Sequence, residues 1–186
     1  MYKYLVLFCV GFGMGSQLQA QNLLANGSFD INIDGWSNTF VTLNWVSDDG
    51  APWSGNGSLQ FGTDFNNNGS FFVESESIPV NANDMYIFAG TFKIPSDSPA
   101  AFARIEIHWF DGVDTEISDD DIWSVFLPTQ DVWTDLSNQA IAPVGAVNAV
   151  YKLFFQSGEP GEPADPYGRW DDLIFVNDTI FKNDFE

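Results

Sequence analysis

Ala103-Arg104-Ile105-Glu106-Ile107-His108-Trp109-Phe110 alternates apolar and polar residues from Ala103 to Trp109. Successive side chains of a β-strand point to opposite faces. Ile105, Ile107 and Trp109 therefore share one face, and Arg104, Glu106 and His108 share the other. A helix with its period of 3.6 would scatter both sets around its axis. The stretch reads as a strand with its apolar side on a core. Residues 149–156 repeat the pattern: Ala149, Tyr151, Leu153 and Phe155 fall on one face, and Val150, Lys152, Phe154 and Gln156 on the other. Residues 70–75, 85–94 and 170–176 read as further strands. Asn-Gly pairs at Asn26, Asn56 and Asn68, with Pro-rich breaks at 95–99 and 160–166, supply the turns between strands. No segment carries a helical stripe. Short strands with turn signals between them indicate an all-β protein, a sandwich or a barrel. The acidic stretch 111–121 reads as a solvated loop.

The first twenty residues have a different character. Lys3 is followed by an apolar run over residues 5–14, and Leu18-Gln19-Ala20 ends on a small residue. This is the layout of a secretory signal peptide, and the run is too short to span a bilayer. The mature chain is expected to start near Gln21, outside the cell or in a periplasm. Cys9, the single cysteine, lies in this segment, so no disulfide or cysteine metal site is expected in the mature part. No second long apolar run follows, and no membrane span is expected. Residues 21–176 have the length of one domain able to bury a core. The 26 acidic residues all follow residue 20, against five basic ones, Lys93, Arg104, Lys152, Arg169 and Lys182. The net charge of −20 repels phosphate backbones and anionic lipids, which argues against nucleic-acid and membrane partners.

The landmarks along the chain occur in a telling order. Asn22-Leu23-Leu24-Ala25-Asn26-Gly27-Ser28-Phe29-Asp30 reads as an opening strand, followed by Gly35-Trp36. Ser54-Gly55-Asn56-Gly57-Ser58-Leu59 comes next, then a Tyr-rich strand from Tyr86 to the Lys93-Ile94-Pro95 turn. A Trp133-to-Leu136 step leads to Ala142-Pro143-Val144-Gly145-Ala146, and Asp171-Asp172-Leu173 opens the last strand. Over nearly all of residues 22–176 this resembles the jelly-roll carbohydrate-binding modules of the xylan- and β-glucan-binding type. Asp30 stands where those modules usually carry Glu, one methylene longer. The last segment, 177–186, resembles the Ile-Phe-x-x-Gly-Phe-Glu ending of many secreted bacterial proteins, with Asp184 in the glycine's place.

The resemblance implies a two-sheet antiparallel β-sandwich, a jelly roll, whose non-core sheet face binds a polysaccharide without catalysis. It also implies a structural calcium ion where the opening strand, the Ser-Gly loop and the last strand meet. Ser28, Asp30, Ser54, Asn56 and Asp172 would supply its oxygens. Calcium takes six to eight hard oxygens from carboxylates and carbonyls, and few lysines or arginines are available to balance a buried carboxylate. On the binding face the expected contacts are Arg104, Glu106, His108, Lys152, Phe154 and Gln156. Lys93 would join Arg104 and Lys152 there if their strands are neighbours. Trp45, Trp53 and Trp123 lie beside polar or loop segments and are the stacking candidates; Trp36, Trp109 and Trp133 are assigned to the core, and Trp170 is left open. A solvated sheet face with cross-strand ion pairs is the plain alternative for the charged residues. His108, the single histidine, cannot make a zinc site by itself in the absence of cysteines, though carboxylates could help, and no nucleophile-elbow spacing is present. Two other functions stay open beside the expected monomeric module: an adhesive or structural extracellular protein, and a secreted lyase or hydrolase on the same fold.

Overall fold

A computed structural model describes residues 21–38, 42–62, 72–157 and 167–178. Residues 1–20, where the signal peptide is expected, and residues 179–186 of the tail lie outside this set. Eleven strands follow one another in the described residues: β1 (Trp36–Ser37), β2 (Leu43–Val46), β3 (Ser58–Gly62), β4 (Phe72–Ser75), β5 (Ile78–Pro79), β6 (Met85–Lys93), β7 (Ala100–Phe110), β8 (Glu116–Trp123), β9 (Thr134–Ile141), β10 (Asn148–Ser157) and β11 (Tyr167–Asn177). They form two antiparallel sheets. One has the order β1-β4-β10-β7-β8 with β5 also paired to β10, and the other the order β2-β3-β11-β6-β9.

The alternation in 103–110 works as its pattern demands. Ala103, Ile105, Ile107 and Trp109 are wholly buried, as are Tyr151 and Leu153 of the neighbouring β10. Large rings from the two sheets meet across the interior. Tyr86 lies 5.8 Å from Trp109, Phe61 lies 5.2 Å from Phe155, and Trp170 lies 5.6 Å from Phe155. Such aromatic pairs add to the burial of their area. The Tyr151 hydroxyl is buried too, and it donates to the Ala89 carbonyl of the opposite sheet at 2.6 Å. Trp36, Trp109 and Trp170 are core residues; Trp133 is half-buried, with the Lys93 ammonium 4.9 Å from its ring centre.

Two expectations change. The acidic stretch is a loop only to Thr115; from Glu116 it is β8, the edge strand of the first sheet. Aspartate is a poor strand former in isolation, but an edge strand exposes most of its side chains, and charges there block further pairing. Asp120 is also held from inside, by the Trp109 indole N–H at 2.8 Å. The second change is the opening segment. Residues 22–30 form turns instead of a ladder strand, with positive φ at Asn26 and Phe29. The segment still runs beside β11, through Leu23 N–H to Phe175 O and Leu173 N–H to Gly27 O.

Candidate functional site

The outer face of the first sheet, opposite the core, is built in cross-strand rows. One row is Phe72 (β4), Phe154 (β10), Arg104 (β7) and Trp123 (β8), each in register with the next. The adjoining row is Glu74, Lys152, Glu106 and Asp121, and beyond it Val150, His108 and Asp119 stand together. On the other side of the aromatic row, Gln156 is opposite Phe102. The register thus brings Arg104, Glu106, His108, Lys152, Phe154, Gln156 and Trp123 onto one face. It also adds Phe72 and Phe102, and Phe126, which follows β8, packs against Phe102; the sequence reading missed all three. Phe102 lies one step beyond the stretch read as a strand, and it would have emerged by continuing the alternation backwards from Arg104.

The contacts within the face are close. The Arg104 guanidinium carbon sits 4.1 Å from the Phe154 ring centre and 4.2 Å from that of Trp123. Its Nη1 pairs with Glu106 Oε1 at 2.7 Å. Glu106 Oε2 lies 2.8 Å from His108 Nε2. His108 Nδ1 is 3.0 Å from Glu116 Oε1, within ion-pair range but without hydrogen-bond alignment. Burial works against the imidazolium, yet Glu106 and Glu116 outweigh it, and the His108 pKa is raised above 6.5. The Lys152 ammonium lies 4.4 Å from the Phe72 ring centre. Phe72 and Phe154 are 5.5 Å apart, Phe102 and Trp123 5.9 Å, and Phe102 and Phe126 5.1 Å. Trp123 is 42% exposed and Phe126 56%, whereas Phe154 is 5% exposed.

Three candidates belong elsewhere. Trp45 lies on β2, at the edge of the second sheet, and its indole N–H donates to Phe29 O at 2.7 Å. Trp53 is exposed in the connection from β2 to β3. Lys93 is on β6 of the second sheet, where it and Arg169 share Asp49. Strand order, which the linear pattern does not encode, separates Trp45 and Lys93 from Arg104.

The residues proposed for calcium fall in one corner. Residues 27–30, 51–57 and 171–173 converge there. Leu173 N–H donates to Gly27 O, and Ala51 N–H donates to Asp171 Oδ2 at 2.7 Å. Gly55 lies against Asp30: a Cβ there would fall 1.4 Å from Asp30 Oδ1, so the carboxylate would have to move. Ser28 Oγ donates to Asp30 Oδ2 at 2.9 Å, and Asn56 is exposed. The buried carboxylate of the acidic pair is Asp171, whereas Asp172 is half-buried. A bulge in β11 is the reason: the register shifts between Asp171 and Ile174, and Asp172 adopts φ 49°. Asp172 then turns its N–H onto Asp171 Oδ1 at 2.7 Å. Burial pushes the Asp171 carboxyl up to about 6, against hydrogen bonds from Ala51, Ser54 and Asp172 that favour its charged form. The Ser54 hydroxyl is buried beside it without well-aligned bonding. Among the described residues no three acidic or histidine side chains cluster closely enough to hold a metal ion by themselves. Asp171 has no cationic partner in an ion pair among the described residues, and both of its oxygens accept backbone N–H groups.

No protein-family model matches the sequence, and no curated protein matches it significantly. Solved structures do share its fold. A fragment of the Clostridium thermocellum xylanase 10B comprising its CBM22-1 and GH10 modules, complexed with xylohexaose, superposes with a TM-score of 0.61 at 17% identity, over 81% of this chain and 28% of that one. A xylan-binding domain of family 22 gives 0.57 at 14% identity, over 81% of this chain and 92% of that one. The enzymatically active domain of bacteriophage CBA120 tailspike protein 4 gives 0.62 at 16%, over 84% of this chain and 21% of that one. This chain thus spans only a quarter or so of the longer structures it matches. The fold is the two-sheet jelly-roll sandwich of carbohydrate-binding modules.

Proposed function

We propose that this protein is a non-catalytic carbohydrate-binding module that takes a neutral polysaccharide on the outer face of the first sheet. The observation that carries this reading is the pair of parallel rows. Phe72, Phe154, Arg104 and Trp123 make a continuous aromatic–guanidinium strip across four strands, about 14 Å long at the usual strand spacing. Directly beside it runs a polar strip of Glu74, Lys152, Glu106 and Asp121. A pyranose offers an apolar C–H face and a rim of hydroxyls, and the two strips match both. This is the common anatomy of ligand sites, apolar walls with a few placed polar groups. The net charge of −20 favours a neutral glycan over a polyuronate. The xylohexaose complex and the xylan-binding domain that share the fold support the same ligand class.

The way the central acid of the face is held supports the non-catalytic reading. Glu106, the buried carboxylate of the face, is bound by both Arg104 and His108, so it is poorly placed to serve as a free acid or base. The protein is read as secreted and monomeric. A calcium ion is assigned to the corner formed by Asp30, Asp171 and carbonyls of the 27–30 and 51–57 segments. It would balance the buried Asp171 charge and bind these segments together.

Affinity electrophoresis of residues 21–186 in gels containing neutral xylan, mixed-linkage β-glucan or polygalacturonate tests the ligand. Retardation by a neutral glycan, reduced in Trp123→Ala, is expected. No retardation by any neutral polysaccharide, or release of new sugar ends, overturns the reading.

A further inference from the structure

We infer that Arg104 is a plate of the binding surface, a positioning residue that joins two separate aromatic groups into one stacking row, and not an arm that reaches for ligand. The inference rests on the glycan-binding reading of this face and assigns Arg104 its part in it.

The strand order sets the problem that Arg104 solves. Phe154 and Trp123 belong to β10 and β8, with β7 between them. Two strand spacings separate them, about 9.5 Å. That spacing belongs to the backbones; the side chains lean in, and the two rings meet through the Arg104 guanidinium between them. Left alone, the face would hold one pair, Phe72 with Phe154, and one trio, Trp123 with Phe102 and Phe126, with a gap between. Arg104 fills the gap in register, 4.1 Å from one ring centre and 4.2 Å from the other. Guanidinium is flat and delocalised and stacks on aromatic faces, which the compact ammonium of lysine does not.

Two of the three guanidinium nitrogens of Arg104 are committed or closed off. Nη1 is bound to Glu106 at 2.7 Å. Nε is buried and has no partner. The side chain is 15% exposed. The Nε–Nη1 edge is thus closed to a ligand, and the guanidinium lies between the two rings. Planarity, which lets it fill that gap, is what the row requires at position 104.

Arg104→Lys separates the two properties, since it keeps the charge. Near-ultraviolet circular dichroism and acrylamide quenching of the ligand-free protein report on Trp123, which loses a neighbour in the variant. The same pair of measurements in a Trp123→Phe background isolates its signal from the other tryptophans. In the Trp123-containing protein, Arg104→Lys is expected to weaken the near-ultraviolet band and raise quenching, with no further change in the Trp123→Phe background. Retention by neutral xylan is expected to fall about tenfold, the worth of the lost stacking, with polygalacturonate ignored by both forms. Unchanged Trp123 spectra in a folded Arg104→Lys protein overturn the inference, whether or not retention falls. Spectra that change in Arg104→Lys while the wild-type protein retains no glycan uphold the bridging role of Arg104 and remove the glycan reading instead.

Discussion

Glu106→Gln is the substitution whose outcome the geometry fixes most tightly. Glu106 accepts from Arg104 on one oxygen and lies 2.8 Å from His108 on the other. Glutamine keeps the shape but offers one acceptor and one donor. With the amide oxygen toward Arg104, its NH2 group faces Nε2 of His108. While the imidazole is protonated this sets donor against donor, and a charge-assisted hydrogen bond worth roughly 1.5–3 kcal/mol is lost. When the imidazole is neutral, Nε2 can accept from the amide while the Nδ1 proton faces Glu116, so the lost bond is largely replaced. The cost of Glu106→Gln is thus about 2–3 kcal/mol in acid and about 1 kcal/mol in alkali.

The sign follows from linkage. His108 has a folded-state pKa raised above 6.5. Its contribution to wild-type stability is complete below the unfolded value near 6.5 and is lost as pH rises through the folded value. Glu106→Gln removes the principal partner, so the variant should lack most of this dependence. Urea unfolding of both proteins at pH 5.5 and pH 9, taken as a difference at each pH, cancels the background from the other acids. His108 is the single histidine in the sequence, so the imidazole C–H proton resonance titrates without overlap. Its midpoint should fall in the variant. Equal destabilisation at both pH values, or an unmoved midpoint, refutes the account of this network.

Trp123→Ala should weaken retention by neutral glycan by about 2 kcal/mol, roughly thirtyfold. It should cost only about 1 kcal/mol of stability, because the ring is 42% exposed and its main partner is a cation; a Tm loss as large as that of a core truncation would contradict this. Gly168→Ala places a methyl group 2.3 Å from Phe155 Cζ in the core, and differential scanning calorimetry should show about 1–3 kcal/mol of destabilisation. Chelator should lower Tm relative to excess calcium by mass action, and Asp171→Asn should abolish most of the difference; coincident melting curves with and without calcium would remove the ion from the corner. N-terminal sequencing of exported protein should begin near Gln21.

What could be read from the chain, and what could not, divides along one physical line. Properties of a single strand are legible. The side-chain period of two places Ile105 and Trp109 inside and Arg104 and Glu106 outside without reference to any other residue, and the structure agrees. Properties of strand neighbours are not legible from periodicity. Arg104, Lys152 and Lys93 have equivalent patterns in their own strands, yet β7 and β10 are partners while β6 lies in the other sheet. The same limit hid β8, whose acids carry no apolar alternation because an edge strand has little to bury. Only its pairing with β7, which sets Trp123 beside Arg104 and Asp119 beside His108, reveals it as part of the face.

The bulge at Asp171 and Asp172 shows the limit at its smallest scale. Strict alternation makes one of two adjacent aspartates face inward but cannot say which, once an extra residue interrupts the register. Trp170 and Leu173 are both core residues, and a regular strand cannot bury side chains three positions apart on one face. The extra residue that reconciles them is Asp172, held at positive φ. That leaves Asp171 under the 51–54 segment, receiving the Ala51 N–H. The two apolar residues flanking the pair require one extra residue between them, and the positive φ of Asp172 makes it the extra one.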